Sequence, residues 1–211
     1  MLIKKDNPLY QKACRRESLF WSQDLFGTQS SQITPKLLKE YQNNHYSGEK
    51  NIDFNAYVKS LGSFKKWLSI GGGFWQGELS LVKDGIIDYL EFLDISEGSN
   101  KILASNAKKL NIQDQVHIKV GDLNFLELQD NLYDVIICKN VLHHIINLEE
   151  CLFELNKSLK KDWIIIIDEF IGAKKFQRSD VRINLIHTFQ SYLKEKYDIS
   201  TKKFNRTNPR V

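Results

Sequence analysis

Cysteine, proline and methionine are scarce: three, three and one in 211 residues. Cys14, Cys138 and Cys151 are too few and too scattered for a disulfide framework or a zinc knuckle. Cys138 lies in an apolar run, where a thiol behaves as a small hydrophobe, so a reducing compartment is expected. Long hydrophobic runs are missing too. The start, MLIKKDNPLY, has no apolar stretch of signal-peptide length, and the longest strongly apolar run, Trp163 to Ile167, is far short of a membrane span. A cytoplasmic protein is expected, in which the sequon Asn205-Arg206-Thr207 is fortuitous. Charge of one sign is nearly balanced: 30 Lys and Arg against 26 Asp and Glu leave +4. Lysine doublets such as 65–66, 108–109 and 160–161 are spread along the chain, which argues for solvated element ends and against a nucleic-acid stripe.

What is present is ordinary globular composition, 42% hydrophobic and 27% charged, enough to bury a core without staples. Residues 1–62 are aromatic-rich and helix-leaning, with Pro8 and Pro35 as breakers. Thr34-Pro35 predicts an N-cap and a first helical proline opening a helix over 36–43. From Phe64 the rhythm changes. β-rich runs at 67–70, 87–94, 116–120, 135–138 and 163–167 alternate with helix-like stretches at 77–83, 96–110 and 148–159. Ser96 and Glu97 suit a helix start, and Ile102, Leu103, Ala104, Ala107 and Leu110 are expected to form that helix's apolar face. Alternation of this kind, with near-continuous apolar strands, predicts a doubly wound α/β fold. Its sheet is Rossmann-like and mainly parallel, with helices on both faces and ligands at the carboxyl ends of the strands. Three segments follow: a helical cap or substrate segment 1–62, a core 63–172, and a helical segment 173–211.

Gly71-Gly72-Gly73 follows the first core strand and precedes a helix, the place where glycine lets backbone approach a ligand. A phosphate-binding P-loop would need Gly-Lys-Ser/Thr, which is absent, and Gln76 breaks the dinucleotide fingerprint. Tyr192 and Lys196, with Ser179 upstream, imitate a short-chain dehydrogenase, but eight Tyr among 24 Lys give roughly one such pair by chance. Asp94 ends the second strand about 20 residues beyond the glycines, where an acid can accept from both hydroxyls of an adenosine ribose. Asp122 ends the third strand and can accept from an exocyclic adenine amine, with Leu123 as an apolar wall.

These residues, with Asp94-Ile95-Ser96, Asp122-Leu123-Asn124, Tyr133–Ile137, Leu142-His143-His144-Ile145 and Leu148-Glu149, resemble a class I S-adenosylmethionine-dependent methyltransferase over residues 64–172. Leu159–Trp163 is similar to that family's turn into its fifth strand. Leu-His-His-Ile, Asp168–Gly172 and Phe176-Gln177 resemble a subgroup of sugar and surface-polysaccharide biosynthesis. The resemblance implies S-adenosylmethionine as cofactor and S-adenosylhomocysteine as product. It implies that Gly71, Gly72 and Gly73 line the methionine end, Asp94 holds the ribose, Ile95 packs on adenine, and Asp122 with Leu123 reads the adenine edge. Lys139 and Asn140 then sit near the methionine. Ser69 stands where many relatives carry an acid, and Trp75 where many carry Gly; Glu78 is expected to supply the missing acid for the cofactor ammonium. The family adds a helix and two strands after its fifth strand. Here 44 residues follow Ile167 and read as helix, so the C-terminal strand pair is expected to be missing or the chain to be a truncated piece.

Methyl transfer from a sulfonium brings its own leaving group, so the protein must position the acceptor and exclude water. A hydroxyl acceptor gains from a base, and His143, His144 and Glu169 are the candidate catalytic groups. No metal site is expected. The segment Cys138-Lys139-Asn140-Val141 lacks the Pro-Pro-aromatic element of many nucleobase and amide methyltransferases. The expected activity is O-methylation of a small polar acceptor: a sugar, a glycan precursor or a phosphate-type oxygen. A non-catalytic cofactor-binding subunit and an NAD(P)-dependent dehydrogenase are the alternatives, and homo-oligomerisation is left open.

Overall fold

A computed structural model describes residues 2–22, 36–71, 77–168 and 180–198. Two compact units divide the chain, Met1–Glu169 and Phe170–Val211. The first holds helices α1 (Pro8–Ser22), α2 (Lys36–Ser47) and α3 (Phe54–Ser60), then β1 (Phe64–Ile70), α4 (Gly77–Lys83), β2 (Ile87–Asp94), α5 (Glu97–Lys109), β3 (Val116–Val120), β4 (Tyr133–Lys139), α6 (Leu148–Ser158) and β5 (Leu159–Asp168). The described part of the second unit is helix α7 (Asp180–Tyr197), in which the Tyr192 and Lys196 side chains meet one turn apart, Oη to Nζ 2.8 Å.

Short polar residues start the helices. Asn7 Oδ1 accepts from the amides of Leu9 and Tyr10 at 3.0 and 3.2 Å, with Pro8 at the first helical position of α1. Asp53 caps α3 through Ala56 N at 2.9 Å, and Ser96 caps α5 through Ser99 N at 3.1 Å. The helix expected over 36–43 runs on to Ser47; Thr34-Pro35 lies outside the described residues.

The sheet order is β3-β2-β1-β4-β5 and every pairing is parallel. Residues alternate between two apolar layers, as the strand period of two demands. Trp67, Phe92 and Val135 pack with Leu79, Leu81 and Leu103 of α4 and α5 on one face. Leu68, Ile136 and Cys138 pack with Cys151 and Leu155 of α6 on the other. The doubly wound fold read from the sequence is the fold observed, and Cys138 is fully buried as expected.

Two local expectations are corrected. Of the residues assigned to the apolar face of α5, Leu103 and Ala107 are buried but Ile102 and Ala104 point outward. Ser99 and Asn100 turn inward instead, because Ser99 Oγ reaches Trp21 O in α1 and Asn100 Nδ2 reaches Lys119 O in β3, at 3.3 and 3.2 Å. Leu159–Trp163 is also no turn ahead of the fifth strand but its first half. Tyr133 pairs with Leu159 and Val135 with Ile164, so an advance of two residues on β4 meets five on β5, with Asp162 at φ +67°. Asp134 holds this junction together. Its buried carboxylate accepts from Lys65 N, Lys66 N and Lys160 Nζ at 2.6, 2.9 and 2.6 Å, tying the starts of β1, β4 and β5. Burial alone would raise its pKa; the hydrogen bonds from Lys160 and the two amides outweigh it and hold the pKa below the ordinary value.

Among the described residues no helix is long and apolar enough to cross a membrane, and no group of three or more His, Cys, Asp or Glu could hold a metal ion.

Candidate functional site

The order β3-β2-β1-β4 sets three chain turns side by side at the carboxyl edge, next to the point where the winding reverses between β1 and β4. Gly71 follows β1 at φ +61°, with its amide on Leu93 O at 2.9 Å. A Cβ there would overlap the Val141 side chain, so both conformation and space require glycine. Asp94 closes β2, nearly buried, and its Oδ1 accepts from Ser96 N at 2.8 Å, which shapes the turn that carries Ile95. Asp122 follows β3, and its Oδ1 accepts from Asn124 N at 3.0 Å, opening the short 310 turn that buries Leu123. Lys139 ends β4 half-buried, and Asn140 follows exposed at φ +50°. The edge therefore gathers Gly71, Asp94, Ile95, Asp122, Leu123, Lys139 and Asn140. Gly72, Gly73 and Glu169 lie outside the described residues.

Glu78 stands one turn into the story of β1's exit, in the first turn of α4, with 1% of its surface exposed. Ser69 Oγ donates to its Oε1 at 3.4 Å, and Oε2 has no hydrogen-bond partner among the described residues. Burial pushes its carboxyl up to about 7, against the opposing pull of its own amide, Lys139 and Ser69.

Sequence reasoning did not find the part played by α1, which runs along this edge. Tyr10 Oη donates to Asp122 Oδ2 at 2.6 Å, and Cys14 Sγ lies 3.7 Å from the same oxygen. Burial first, then Asp122, raises the Tyr10 and Cys14 pKa values. Ser18 Oγ donates to Ile95 O at 2.9 Å, and Ser22 Oγ accepts from Gly98 N at 3.2 Å. Across from them, Glu17 Oε1 lies 3.0 Å from His144 Nδ1 and accepts from Trp21 Nε1 at 2.6 Å, while the Trp21 and His144 rings meet edge to face. Thus α1 links the loop after β2 to the loop after β4. Gly98 permits the approach: a Cβ there would come within 2.6 Å of Ser22 Cα and O. Tyr10, Cys14, Glu17, Ser18, Trp21 and Ser22 recur at helical spacing, so a polar and aromatic stripe was the available signal. His143 is exposed, its ring centroid 4.1 Å from that of half-buried His144 and the two rings tilted by 41°.

Two cavities open near this edge. One of about 530 Å³ lies among α2, the start of α3, and the carboxyl halves of β4 and β5, walled by Lys39, Gln42, Tyr46, Asn55, Gly77 and Lys139. The other, about 410 Å³, has Leu93, Gly121, Asp122 and Phe125 in its wall.

A family model described as a methyltransferase domain matches residues 92–206, just over half of the chain. The chain belongs to the methyltransferase-domain family. The matched region begins inside β2, so it takes in Asp94, Asp122 and the histidine turn and starts after the glycine turn. Solved structures of similar fold include a putative S-adenosyl-L-methionine-dependent methyltransferase from Methanococcus maripaludis, at 18% identity over 94% of this chain and 77% of that one, TM-score 0.48. They also include a methyltransferase from Geobacter sulfurreducens in complex with S-adenosyl-L-homocysteine, at 20% identity over 52% and 43%, TM-score 0.45. A third is a putative sarcosine dimethylglycine methyltransferase from Galdieria sulphuraria, at 22% identity over 53% and 41%, TM-score 0.47. The matched region spans less than half the length of the last two. At such scores the likeness identifies neither ligand nor reaction. No curated protein sequence matches the chain.

Proposed function

We propose that this methyltransferase-domain protein uses S-adenosylmethionine to methylate an oxygen of a small polar acceptor, in the cytoplasm: a sugar, a glycan precursor of surface polysaccharide or a phosphate-type oxygen. One observation carries the reading. Three adjacent strands end in a glycine turn and two acids, Gly71, Asp94 and Asp122, in the order that an adenosine with an amino-acid tail would need along one sheet edge. The cofactor would supply an activated methyl group and a neutral leaving group. Asp94 would hold the ribose hydroxyls, Ile95 and Leu123 the faces of the base, and Asp122 its exocyclic amine. Gly71 to Gly73, Lys139 and Asn140 would surround the tail.

The protein's own contribution is positioning and the exclusion of water. Residues 1–62 serve as the acceptor cap over the core 63–172, with 173–211 following. The larger cavity has suitable chemistry for a polar acceptor, with the amide of Gln42, the phenol of Tyr46 and two lysines in its wall. His143, His144 and Glu169 are the candidate bases for a hydroxyl proton. His144 is the best prepared of these: Nδ1 faces the Glu17 carboxylate, which leaves Nε2 to accept.

Calorimetric titration with S-adenosylhomocysteine, NAD and NADP in parallel tests the reading. Binding of the homocysteine nucleoside alone is the expected result, followed by S-adenosylhomocysteine release from S-adenosylmethionine when sugars and sugar phosphates are offered. Binding of NAD(P) without the nucleoside would overturn it.

A further inference from the structure

The Asp122 carboxylate, which the proposed function gives to the exocyclic amine of the base, is already filled from within the chain. A carboxylate offers about four lone-pair sites. Oδ1 accepts from Asn124 N at 3.0 Å and from Asn124 Nδ2 at 3.2 Å. Oδ2 accepts from Tyr10 Oη at 2.6 Å, with the Cys14 thiol 3.7 Å away as a weaker donor. The Asn124 bonds are local and shape the turn after β3. Those on Oδ2 come from α1, across 112 and 108 positions. An amine that reaches Asp122 therefore meets an oxygen that α1 holds, and only a movement of α1 frees it. The way α1 is held allows that movement. Of its 15 residues only Tyr10 is buried, and none belongs to either apolar layer of the sheet. Its further links include Ser18 Oγ to Ile95 O at 2.9 Å and Glu17 Oε1 to His144 Nδ1 at 3.0 Å, polar contacts that water can replace. A segment with so little buried apolar surface opens well before the rest of the fold.

We propose that α1 is an autoinhibitory latch on the nucleoside site: Tyr10 occupies the Asp122 oxygen that the adenine amine needs, and the first half of α1 is displaced as the nucleoside docks. This rests on the methyltransferase reading and adds regulation to the site it assigns. Latch and nucleoside exclude each other at one atom, and Asp122 is satisfied in both states, by the phenol in one and by the amine in the other. The apparent affinity for the nucleoside is then the intrinsic one reduced by the fraction of molecules in which α1 is released. A released α1 does not stay protected. A helix of about 15 residues is marginal in water once its packing is gone, and exposed Lys12, Arg15 and Arg16 offer it to trypsin.

The experiment has two arms, both on the full chain with S-adenosylhomocysteine as the probe. In the first, calorimetric titration compares the unaltered protein with Tyr10→Phe, which keeps the ring against Phe125 and removes only the hydroxyl that holds Asp122. The variant should bind roughly 5- to 50-fold more tightly, the loss of one hydrogen bond to a charged group from the latched state. A gain of affinity cannot come from a failure to fold. In the second, which needs no variant, limited trypsin digestion is followed by mass spectrometry of the cuts after Lys12, Arg15 and Arg16. Saturating S-adenosylhomocysteine should speed those cuts, the reverse of the protection that a ligand gives to a segment that stays in place. Weaker binding by a folded Tyr10→Phe would mean that the phenol holds the base itself, and would overturn the latch. Unchanged binding, or slower cutting of α1 in the presence of the nucleoside, would overturn it as well. If neither protein bound the nucleoside, the cofactor reading would fall and the latch with it; if both bound it equally, the reading would stand and the latch alone would fall.

Discussion

Gly71→Ala should be among the most damaging single-methyl additions available to this chain. Two separable costs meet there. At φ +61° an L-residue gives up about 1–2 kcal/mol relative to glycine. The new methyl would also overlap Val141 Cβ and Cγ2, and Val141 is 6% exposed with no open side to retreat to. Forcing atoms into a packed position costs about 1–3 kcal/mol through displaced side chains and backbone. Together they put the loss at about 2–5 kcal/mol, a large share of the stability of an ordinary domain. Urea unfolding followed by tryptophan fluorescence measures it, provided the slope is unchanged. The two contributions can be told apart with Val141→Gly, which removes the atoms that the methyl would strike. In the double variant the penalty of Gly71→Ala should shrink to the backbone cost alone, a coupling of about 2 kcal/mol between the sites. A loss below 1 kcal/mol for Gly71→Ala, or the same loss with and without Val141, would refute the reasoning.

Asp134→Asn should cost about 2 kcal/mol, since one carboxylate now serves two amides and a lysine, and an amide oxygen cannot serve all three as strongly. Because the Asp134 pKa is depressed in the folded state, its contribution is present above the unfolded pKa and lost as pH falls, so denaturation of the two proteins should converge in acid. Glu78 has the opposite sign. Its folded pKa of about 7 lies above the ordinary 4.5, so below pH 4.5 it costs nothing and through the window from 4.5 to 7 it removes up to about 3 kcal/mol. Glu78→Gln should therefore gain stability over the parent between pH 5 and pH 8; a difference independent of pH would contradict the burial argument. Gly98→Ala should lift α1 from the start of α5, because the methyl would meet the Ser22 backbone; limited proteolysis should then cut within Pro8–Ser22 while the sheet core resists.

The sheet was legible because its signals are local. Strands Ile87–Asp94 and Val116–Val120 and helix Gly77–Lys83 agree end to end with the sequence reading, since apolar runs bounded by Gly, Asp and Ser need no distant partner to be recognised. Ser96 as the cap of α5 was legible for the same reason. What failed depends on residues far away in sequence. Ser99 and Asn100 look like solvent positions until Trp21 and Lys119 arrive to bond them. Lys160 and Asp162 look like a turn until Asp134, 26 residues upstream of Lys160, draws the lysine into the strand. At the site, the glycine turn and the acids of β2 and β3 could be placed from spacing, but their partners could not. Tyr10 meets Asp122 across 112 positions, and nothing in either neighbourhood announces the other. Glu78 was found from the chemistry that Ser69 lacks, but its unmet oxygen required the packing.

The irregular start of β5 also bears on how copies of this protein meet one another. Among the described strands β5 is an outermost one, and its apolar residues Trp163, Ile164 and Ile167 are 40%, 47% and 50% exposed, a surface on which another strand could template. The three surplus residues break that template at its beginning. With Asp162 at φ +67°, a second strand laid along β5 would lose register within a few residues, and it would meet the charge of Lys161 beside that break. The lysine that Asp134 draws inward to anchor the sheet thus belongs to the same break that interrupts its margin: one short stretch of chain ties three strands together and spoils the edge as a template for a further strand.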